Sequence, residues 1–512
     1  MTTPRSTPAR PPRLPGSVAD IDGSLPGPQT GAFFDLDGTL VAGFTVAAIT
    51  KDRLRRRDVG AAEFLHMLQL AMEYRLGRSQ FENVIEGAVR SARGQLATDV
   101  DEVGERVFRQ SVADLIYPEM RELVRAHQRR GHTVVLSSSA LTMQAIPVAR
   151  YLGIEHVVCN RFVVDEIGML TGEIERPVVW GPTKATSVQR FAADHHVDLR
   201  SSYFYADGDE DLALMHLVGN PRPVNPGPRL AKVASRRGWP VLRFSSRGDG
   251  GWLGRVRSLA AVGSLGPLAT GALGIGMLAR NKRTGVNFLT RFWPETVLAL
   301  SGVKLNVTGA ENLTARRPAV FLFNHRNNFD VFMVAALVKD NWTGVAKKEL
   351  ERNPVAGPLG KLMDAAFIDR ADTASAVAGL APVEAAARKG LSIVIAPEGT
   401  RMDARAVAGA DGVAGVAGVA GVGPFKKGAF RIAMATGLPI VPIVIRNSDS
   451  VAGRSSATLN PGTVDIAVLP PISVQDWTLV NLPERIEQVR ASYTALLADW
   501  PGAGTDGRSA QS

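Results

Sequence analysis

The chain has 512 residues, of which 45% are hydrophobic and 21% charged, and its formal net charge is +10. This length predicts two to four folding units, and the composition excludes a largely disordered protein. The positive charge favours a partner that carries phosphates, whereas an aromatic content of 6% argues against stacking platforms for nucleic acid. The single cysteine, Cys159, excludes an internal disulfide and a multi-thiolate metal site.

The first half of the chain alternates between strand-like and helical patterns. Residues 1–30 are rich in Pro, Ser, Gly and Arg and are predicted to form a disordered arm. The apolar run 31–34 predicts a buried strand, and a helical pattern follows from about Thr45 to Met120. Further strand-like runs, at 133–136 and 203–206, are followed directly by Ser137 and Asp207. This order predicts an α/β sheet with a helical insertion after its first strand.

Asp35 and Asp37 follow the first predicted strand, two residues apart, so both side chains can face one side of an extended chain end. Two adjacent carboxylates repel each other, and a divalent cation relieves that repulsion. Oxygen ligands favour Mg²⁺, and Asp207 and Asp211 after a later strand supply further carboxylates. One aspartate of the first pair can then attack phosphorus while the other protonates the leaving alcohol.

Four motifs, in this order, make residues 31–245 resemble the phosphoserine-phosphatase-like haloacid dehalogenase hydrolases. They are Asp35-Leu36-Asp37-Gly38-Thr39, Ser137, Lys184, and Asp207 to Asp211. The resemblance implies a Rossmann-like domain with a helical cap at about 44–120. It implies that Asp35 is the nucleophile and Asp37 the acid/base, and that Ser137 and Lys184 contact the phosphoryl group. Asp35, Asp37, Asp207 and Asp211 are the predicted magnesium ligands.

Residues 246–284 are predicted to be a linker followed by an apolar, membrane-associated segment. Ser258 to Ala279 is uncharged over 22 residues and has basic flanks, which is long enough to span a bilayer. Its many glycines and symmetric flanks favour a membrane-seated or re-entrant segment at even odds with a true span. A buried core helix is the remaining alternative. Residues 413–423 carry a Val-Ala-Gly repeat, predicted to be a flexible insertion, and residues 501–512 form a polar tail.

His325 and Asp330 are five residues apart and can pair only if the chain turns between them. The apolar run 321–323 predicts a strand that delivers His325 to a sheet edge, and a carboxylate on one imidazole nitrogen makes the other a general base. No neighbouring Ser or Cys has a nucleophile signature, so direct attack by an acceptor alcohol is favoured. Glu398-Gly399-Thr400-Arg401 follows a second apolar strand and is interpreted as a clamp for a phosphate head group.

Residues 285–500 resemble the glycerophospholipid acyltransferases of the PlsC type, an α/β fold. The matching blocks are Asn324 to Asp330, Lys347 to Leu350, Phe367 to Arg370, Pro397 to Arg401, Pro424 to Gly428, and Val441 to Ile443. The resemblance implies that His325 is the base and Asp330 its partner. The implied acceptor-binding residues are Lys347, Arg370, Glu398, Gly399, Thr400 and Arg401. Acyl-CoA or acyl-carrier protein is the implied donor, and the repeat in the loop before Pro424 departs from the family pattern.

Together the halves resemble the fused phosphatase/acyltransferase proteins of mycobacteria and relatives. The sequence therefore predicts a bifunctional enzyme at the cytoplasmic face of the cell membrane, in contact with anionic lipid, with Mg²⁺ as the cofactor of its phosphatase half. Its acyltransferase half is expected to convert lysophosphatidate to phosphatidate. One alternative makes the first half a phosphate-binding regulatory module without turnover. Another makes the basic chain a nucleic-acid binder, which is not expected.

Overall fold

The chain divides into two units, Met1–Phe244 and Ser245–Ser512. The computed structural model describes residues 18–56, 81–247, 251–353, 356–368, 381–399, 422–454, 456 and 458–500. Each unit contains a sheet that is mainly parallel, with helices packed on it.

The sheet of the first unit has five parallel strands in the order β3-β2-β1-β6-β7. They are β1 (Thr30–Phe34), β2 (Thr133–Leu141), β3 (His156–Asn160), β6 (Asp198–Ala206) and β7 (Asn220–Pro223). Every residue of β1 is buried, because helices cover both faces of the sheet. The carboxyl ends of β1, β2 and β6 therefore meet at one edge, as the apolar runs predict.

The helices of the first unit cover the sheet and form the cap. They are Val18–Asp22, Thr45–Arg56, Phe81–Ser91, Ala97–Val107, Pro118–Arg129, Thr142–Leu152, Gly181–Asp194, Leu212–Met215 and Pro228–Arg237. The expected cap, 44–120, is helical in its described residues, and residues 57–80 lie outside them. A hairpin that the sequence did not predict, β4 (Phe162–Val164) and β5 (Leu170–Ile174), packs against Phe81–Ser91.

Part of the predicted disordered arm is ordered, so that prediction is wrong for residues 18–30. Val18–Asp22 is helical, and Ile21 is fully buried in the core of the first unit. Asp20 forms an ion pair with the buried Arg222 at 2.9 Å. Burial of one isoleucine contributes about 1.5–3 kcal/mol, which helps to hold the segment on the domain. Residues 1–17 lie outside the described residues.

The sheet of the second unit has seven strands in the order β11-β10-β12-β9-β13-β14-β8. They are β8 (Val303–Thr308), β9 (Val320–Phe323), β10 (Trp342–Lys347), β11 (Ala366–Ile368), β12 (Ser392–Ile395), β13 (Ile440–Ile445) and β14 (Gly462–Val468). Neighbouring strands are parallel except for β13 and β14. Strands β9 and β12 are adjacent, which brings their carboxyl ends together at one edge.

The helices of the second unit begin in the segment expected to be a linker. They are Gly251–Gly263, Leu265–Leu278, Lys282–Ser301, Asn312–Ala315, Asp330–Val338, Ala356–Leu362, Ala381–Arg388, Lys427–Thr436 and Leu482–Ala498. Residues 413–421 of the Val-Ala-Gly repeat and the C-terminal tail lie outside the described residues.

The apolar segment 258–279 is helical and mostly exposed. Among the described residues one stretch, Val256–Leu278, is long and apolar enough to cross a membrane, and 11% of its most apolar window is buried. That exposure does not fit a core helix. Leu265–Leu278 packs along Lys282–Ser301, and the contact is close: a Cβ on Gly285 would lie 2.3 Å from the carbonyl oxygen of Ala272.

Candidate active sites

The carboxyl end of β1 holds a buried carboxylate paired with a buried lysine. Asp35 follows the strand, and its backbone N–H donates to the Tyr205 carbonyl at 2.9 Å. Lys184, on the helix Gly181–Asp194, places Nζ 2.7 Å from Asp35 Oδ1 and 2.8 Å from Asp211 Oδ1. Burial lowers the pKa of Lys184, but the two carboxylates outweigh it and raise that pKa overall. The lysine therefore stays charged between two acids.

A third acid, Asp207, gives this cluster an excess of negative charge. Burial, followed by the charges of Asp35, Glu210 and Asp211, raises the pKa of Asp207 to about 8. A Cβ on Gly38, whose φ is +77°, would lie 2.1 Å from Asp207 Oδ2, so glycine is required there. Two buried carboxylates, the half-buried Asp207 and one lysine form a site that a cation would stabilise.

Ser137 lies within β2, one residue after Leu136, which pairs with the last residue of β1, and it is fully buried. Its Oγ has no hydrogen-bond partner among the described residues. A buried hydroxyl without a partner costs about 1–3 kcal/mol, which a bound acceptor such as a phosphoryl oxygen recovers. The position therefore fits the predicted contact with substrate.

Asp37 makes different contacts from the other acids. Its Oδ1 accepts from the Thr45 backbone N–H at 2.7 Å, and its Oδ2 accepts from the Thr45 hydroxyl at 3.2 Å. Burial raises the pKa of Asp37 to about 6, the Thr45 N–H opposes that rise, and the charge of Asp35 adds to it. Such a group exchanges protons near neutral pH. These contacts favour the predicted acid/base role over the predicted role as a side-chain metal ligand.

Within the described part of the chain, no three His, Cys, Asp or Glu side chains already form a complete metal site. The donor chemistry nevertheless fits a hard cation. Asp35 and Asp207 offer carboxylate oxygens at one sheet edge. Burial, followed by repulsion from neighbouring carboxylates, raises the pKa of Asp207, and Mg²⁺ would relieve that repulsion. Asp211 is engaged by Lys184, which leaves it a supporting role.

The second site lies where β9 ends. His325 Nδ1 is 3.0 Å from Asp330 Oδ2, so the turn expected between them is present. Asp330 is 0% exposed and opens the helix Asp330–Val338, whose N-terminus favours a carboxylate. The same Oδ2 accepts the backbone N–H groups of Arg326 at 2.6 Å and Asn327 at 2.8 Å. These donors hold the carboxylate, which in turn orients the imidazole.

Two asparagines hold the loop that carries His325 in place through hydrogen bonds. Asn324 exchanges two hydrogen bonds with Ile445 of β13, at 2.8 and 2.7 Å. Asn327 Nδ2 donates to the Ser448 carbonyl at 2.9 Å, and its Oδ1 accepts the Phe329 N–H at 2.8 Å. Because both side chains are buried, the loop is held by satisfied polar contacts rather than by apolar packing alone.

Glu398 and Gly399 follow β12, beside this loop. Glu398 is buried and its Oε2 accepts the His325 backbone N–H at 3.4 Å. Burial raises the pKa of Glu398 to about 8, although N–H groups of His325 and Gly423 oppose the rise. Gly399 has a φ of +73°, which only glycine adopts easily. The described contacts of Glu398 position the loop; they do not assign it to the acceptor.

The remaining predicted acceptor contacts are described only in part. Lys347 ends β10, but its side chain lies outside the described residues, as do Arg370, Thr400 and Arg401. Their roles stay predictions. Sequence reasoning missed Thr45, Gln144 and Asn324, which contribute to holding the predicted catalytic residues or their loop in place. Thr45 and Gln144 carry no local signal, whereas Asn324 adjoins His325 in a block that was recognised.

Comparisons with known proteins match a different family to each of the two units. The family model described as haloacid dehalogenase-like hydrolase matches residues 32–216, and the acyltransferase model matches residues 304–446. A probable phosphatase of Mycobacterium tuberculosis is 31% identical over 53% of this chain and 94% of its own length. The 1-acyl-sn-glycerol-3-phosphate acyltransferase of Limnanthes alba is 30% identical over 38% of this chain and 64% of the plant protein.

Among solved structures, the 1-acyl-sn-glycerophosphate acyltransferase PlsC of Thermotoga maritima is 21% identical, with a TM-score of 0.38, and covers 48% of this chain and 98% of its own. The N-terminal relative is matched almost throughout, and each family model covers the residues that form one of the two sites. The chain therefore belongs to the haloacid dehalogenase-like hydrolases through its first unit, and residues 304–446 of its second unit match the acyltransferase family model.

Proposed function

We propose that the second unit transfers an acyl group from acyl-CoA or acyl-carrier protein to 1-acylglycerol 3-phosphate. The observation that carries this proposal is the His325–Asp330 pair, held by buried backbone donors. With Nδ1 facing Asp330, Nε2 of His325 takes the proton of the acceptor hydroxyl. The oxygen attacks the thioester carbonyl, the C–S bond breaks, and the thiolate leaves and recovers a proton.

The first unit is proposed to be a phosphomonoester hydrolase. Asp35 attacks phosphorus and forms an aspartyl phosphate while Asp37 gives its proton to the departing alcohol; water then hydrolyses the aspartyl phosphate. Lys184 holds Asp35 in place, and the hydroxyl of Ser137 donates to a phosphoryl oxygen. Asp35 and Asp207 would hold Mg²⁺, which would neutralise charge on the phosphoryl oxygens.

Membrane association is proposed to run through the helices Gly251–Gly263 and Leu265–Leu278. Leu259, Met277 and Leu278 are 72%, 76% and 88% exposed, an apolar surface that suits lipid better than water. Lys282–Ser301, against which the second helix packs, also packs against Asp330–Val338. This packing favours a membrane-seated segment over a free span, with the basic flanks facing anionic lipid on the cytoplasmic side.

The test measures products by mass spectrometry after the protein is incubated with lysophosphatidate, acyl-CoA and Mg²⁺. Wild type and Asp35→Asn are expected to form phosphatidate, and His325→Ala is expected to lose at least ~10³-fold of that activity. Hydrolysis of a soluble phosphomonoester should show the reverse pattern, lost in Asp35→Asn and kept in His325→Ala. Wild type that acylates nothing would refute the acyltransferase proposal.

The same incubation separates two views of the first unit. If the two activities form one sequence, diacylglycerol accumulates with wild type and disappears with Asp35→Asn. If the first unit only binds phosphate and regulates, no phosphomonoester is hydrolysed in the presence of Mg²⁺, and Asp35→Asn changes only the acyl-transfer rate.

A further inference from the structure

A relay of side chains links Gln144 to the carboxylate of Asp37. Gln144, on the helix Thr142–Leu152, places Nε2 2.8 Å from Thr45 Oγ1, and Thr45 Oγ1 lies 3.2 Å from Asp37 Oδ2. Thr45 is 2% exposed, so water competes little for these hydrogen bonds. Gln144 follows the strand that carries Ser137, while Thr45 opens the first cap helix. The relay therefore joins two separate parts of the fold at the phosphatase site.

The direction of each hydrogen bond in this relay is fixed. Gln144 Oε1 accepts the backbone N–H of Leu141 at 2.9 Å, which orients the amide so that its NH₂ group faces Thr45. A hydroxyl has only one hydrogen, and because Thr45 Oγ1 accepts from Gln144, that hydrogen points to Asp37. Asp37 thus receives two donors from Thr45, the hydroxyl and the backbone N–H.

We propose that Gln144, acting through Thr45, is a positioning residue that aims the proton of Asp37 at the leaving alcohol; this inference rests on the proposed phosphatase function. When Asp37 carries a proton, neither Thr45 group can accept it, because both are donors. The proton therefore faces the substrate. It passes to the bridging oxygen as the bond between phosphorus and that oxygen breaks and the bond from Asp35 forms, so that a neutral alcohol leaves.

A purely structural role for Gln144 gives a different expectation. The side chain also caps the helix Thr142–Leu152 through its hydrogen bond with Leu141. Gln144→Glu keeps that acceptor but cannot donate to Thr45, and its carboxylate draws the Thr45 hydroxyl hydrogen away from Asp37. Thr45→Val removes the hydroxyl at similar volume, and Thr45→Ser keeps it. The three variants separate capping from positioning.

The experiment compares kcat/KM for phenyl phosphate and 4-nitrophenyl phosphate with Mg²⁺ present. The two substrates are similar in size, but phenol, with a pKa of about 10, needs protonation much more than nitrophenol. Gln144→Glu and Thr45→Val are expected to lower kcat/KM about 10-fold for phenyl phosphate and less than about 3-fold for 4-nitrophenyl phosphate. Thr45→Ser should match wild type with both substrates.

Asp37→Asn serves as the reference, because it removes the acid itself. It should also lower kcat/KM more for phenyl phosphate than for 4-nitrophenyl phosphate, and both losses should be larger. Equal losses with the two substrates in both Gln144→Glu and Thr45→Val would overturn the inference, as would rates unchanged from wild type. Thermal unfolding shows that each variant is folded, and the selectivity ratio compares two substrates on one preparation. If wild type hydrolyses neither substrate, the proposed phosphatase function falls, and this inference falls with it.

Discussion

In the first unit, two buried carboxylates pair with one lysine and a third, the half-buried Asp207, adds its charge. In the second unit, Asp330 meets an imidazole and two backbone N–H groups. The first site has more negative charge than its one lysine compensates, which suits the proposed cation. The second has its donors already in place. Two sites at the carboxyl ends of parallel strands can thus differ in how far the protein's own donors and cations balance the negative charge of their carboxylates.

The largest expected effect concerns the His325–Asp330 pair of the second unit. Asp330→Asn puts an NH₂ group or a weaker acceptor against three nitrogen donors, so His325 loses its orientation. Acyl transfer is expected to fall ~10³–10⁴-fold while phosphomonoester hydrolysis is unchanged. The matched control is Asp340→Asn, which removes a surface carboxylate paired with Arg291 at 2.5 Å. An acyl-transfer rate within tenfold of wild type in Asp330→Asn would show that the pair is not essential.

Magnesium should change both the thermal stability of the first unit and its rate of phosphomonoester hydrolysis, because Mg²⁺ is the proposed ligand of its carboxylates. Burial and like charge raise the folded pKa of Asp207 to about 8, so the unfolded state binds fewer protons between about pH 4 and 8. Without Mg²⁺ the first unit should therefore lose stability as the pH rises through that range. Chelation is expected to abolish hydrolysis and lower the Tm at pH 8, but to change the Tm little in Asp207→Asn. Equal Tm changes in the two proteins would contradict the assignment.

Glu398 sharpens the comparison because it is an acid with a raised pKa inside the second site. Its folded pKa of about 8 means that it opposes folding increasingly as the pH rises from about 4.5 to 8, by up to about 1.4 kcal/mol per pH unit. Glu398→Gln should flatten this part of the stability profile and lower acyl transfer about 10-fold, since an amide accepts the loop N–H groups less well. Denaturant unfolding at several pH values checks this. A profile parallel to that of wild type would refute it.

The smallest expected effect concerns the apolar helices. Gly285→Ala places a methyl group 2.3 Å from the Ala272 carbonyl oxygen and should destabilise the second unit by about 1–3 kcal/mol. The control is Gly274→Ala, whose added Cβ meets nothing within 4 Å. Sedimentation with anionic vesicles should weaken only in Gly285→Ala, with hydrolysis by the first unit unchanged. Equal sedimentation of the two variants would show that the packing does not present the membrane surface.

The strands of both sites could be predicted from the sequence because buried parallel strands are continuous apolar runs. The runs 31–34, 203–206 and 321–323 all lie in strands of the observed sheets. The pairing of His325 with Asp330 could also be predicted from the sequence, since the turn between them is local. The hairpin β4–β5 was not, because its strands are short and partly polar.

Contacts between distant residues account for most of what was missed. Gln144 reaches Thr45 across 99 positions, and neither residue has a neighbour in sequence that signals the contact. The order of residues 18–30 depends on Ile21 and Asp20 meeting the sheet of the first unit, a tertiary effect that overrides a composition typical of disorder.

Strand β8 pairs with β14, near the opposite end of the second unit. During synthesis the apolar helices leave the ribosome long before β14 exists to complete the sheet that anchors them. A nascent second unit therefore carries its exposed apolar helices before its sheet can form, whereas the first unit is already fully synthesised. With the proposed membrane association, contact of these helices with the bilayer would come before the slow, long-range closure of the sheet and would shield them during it.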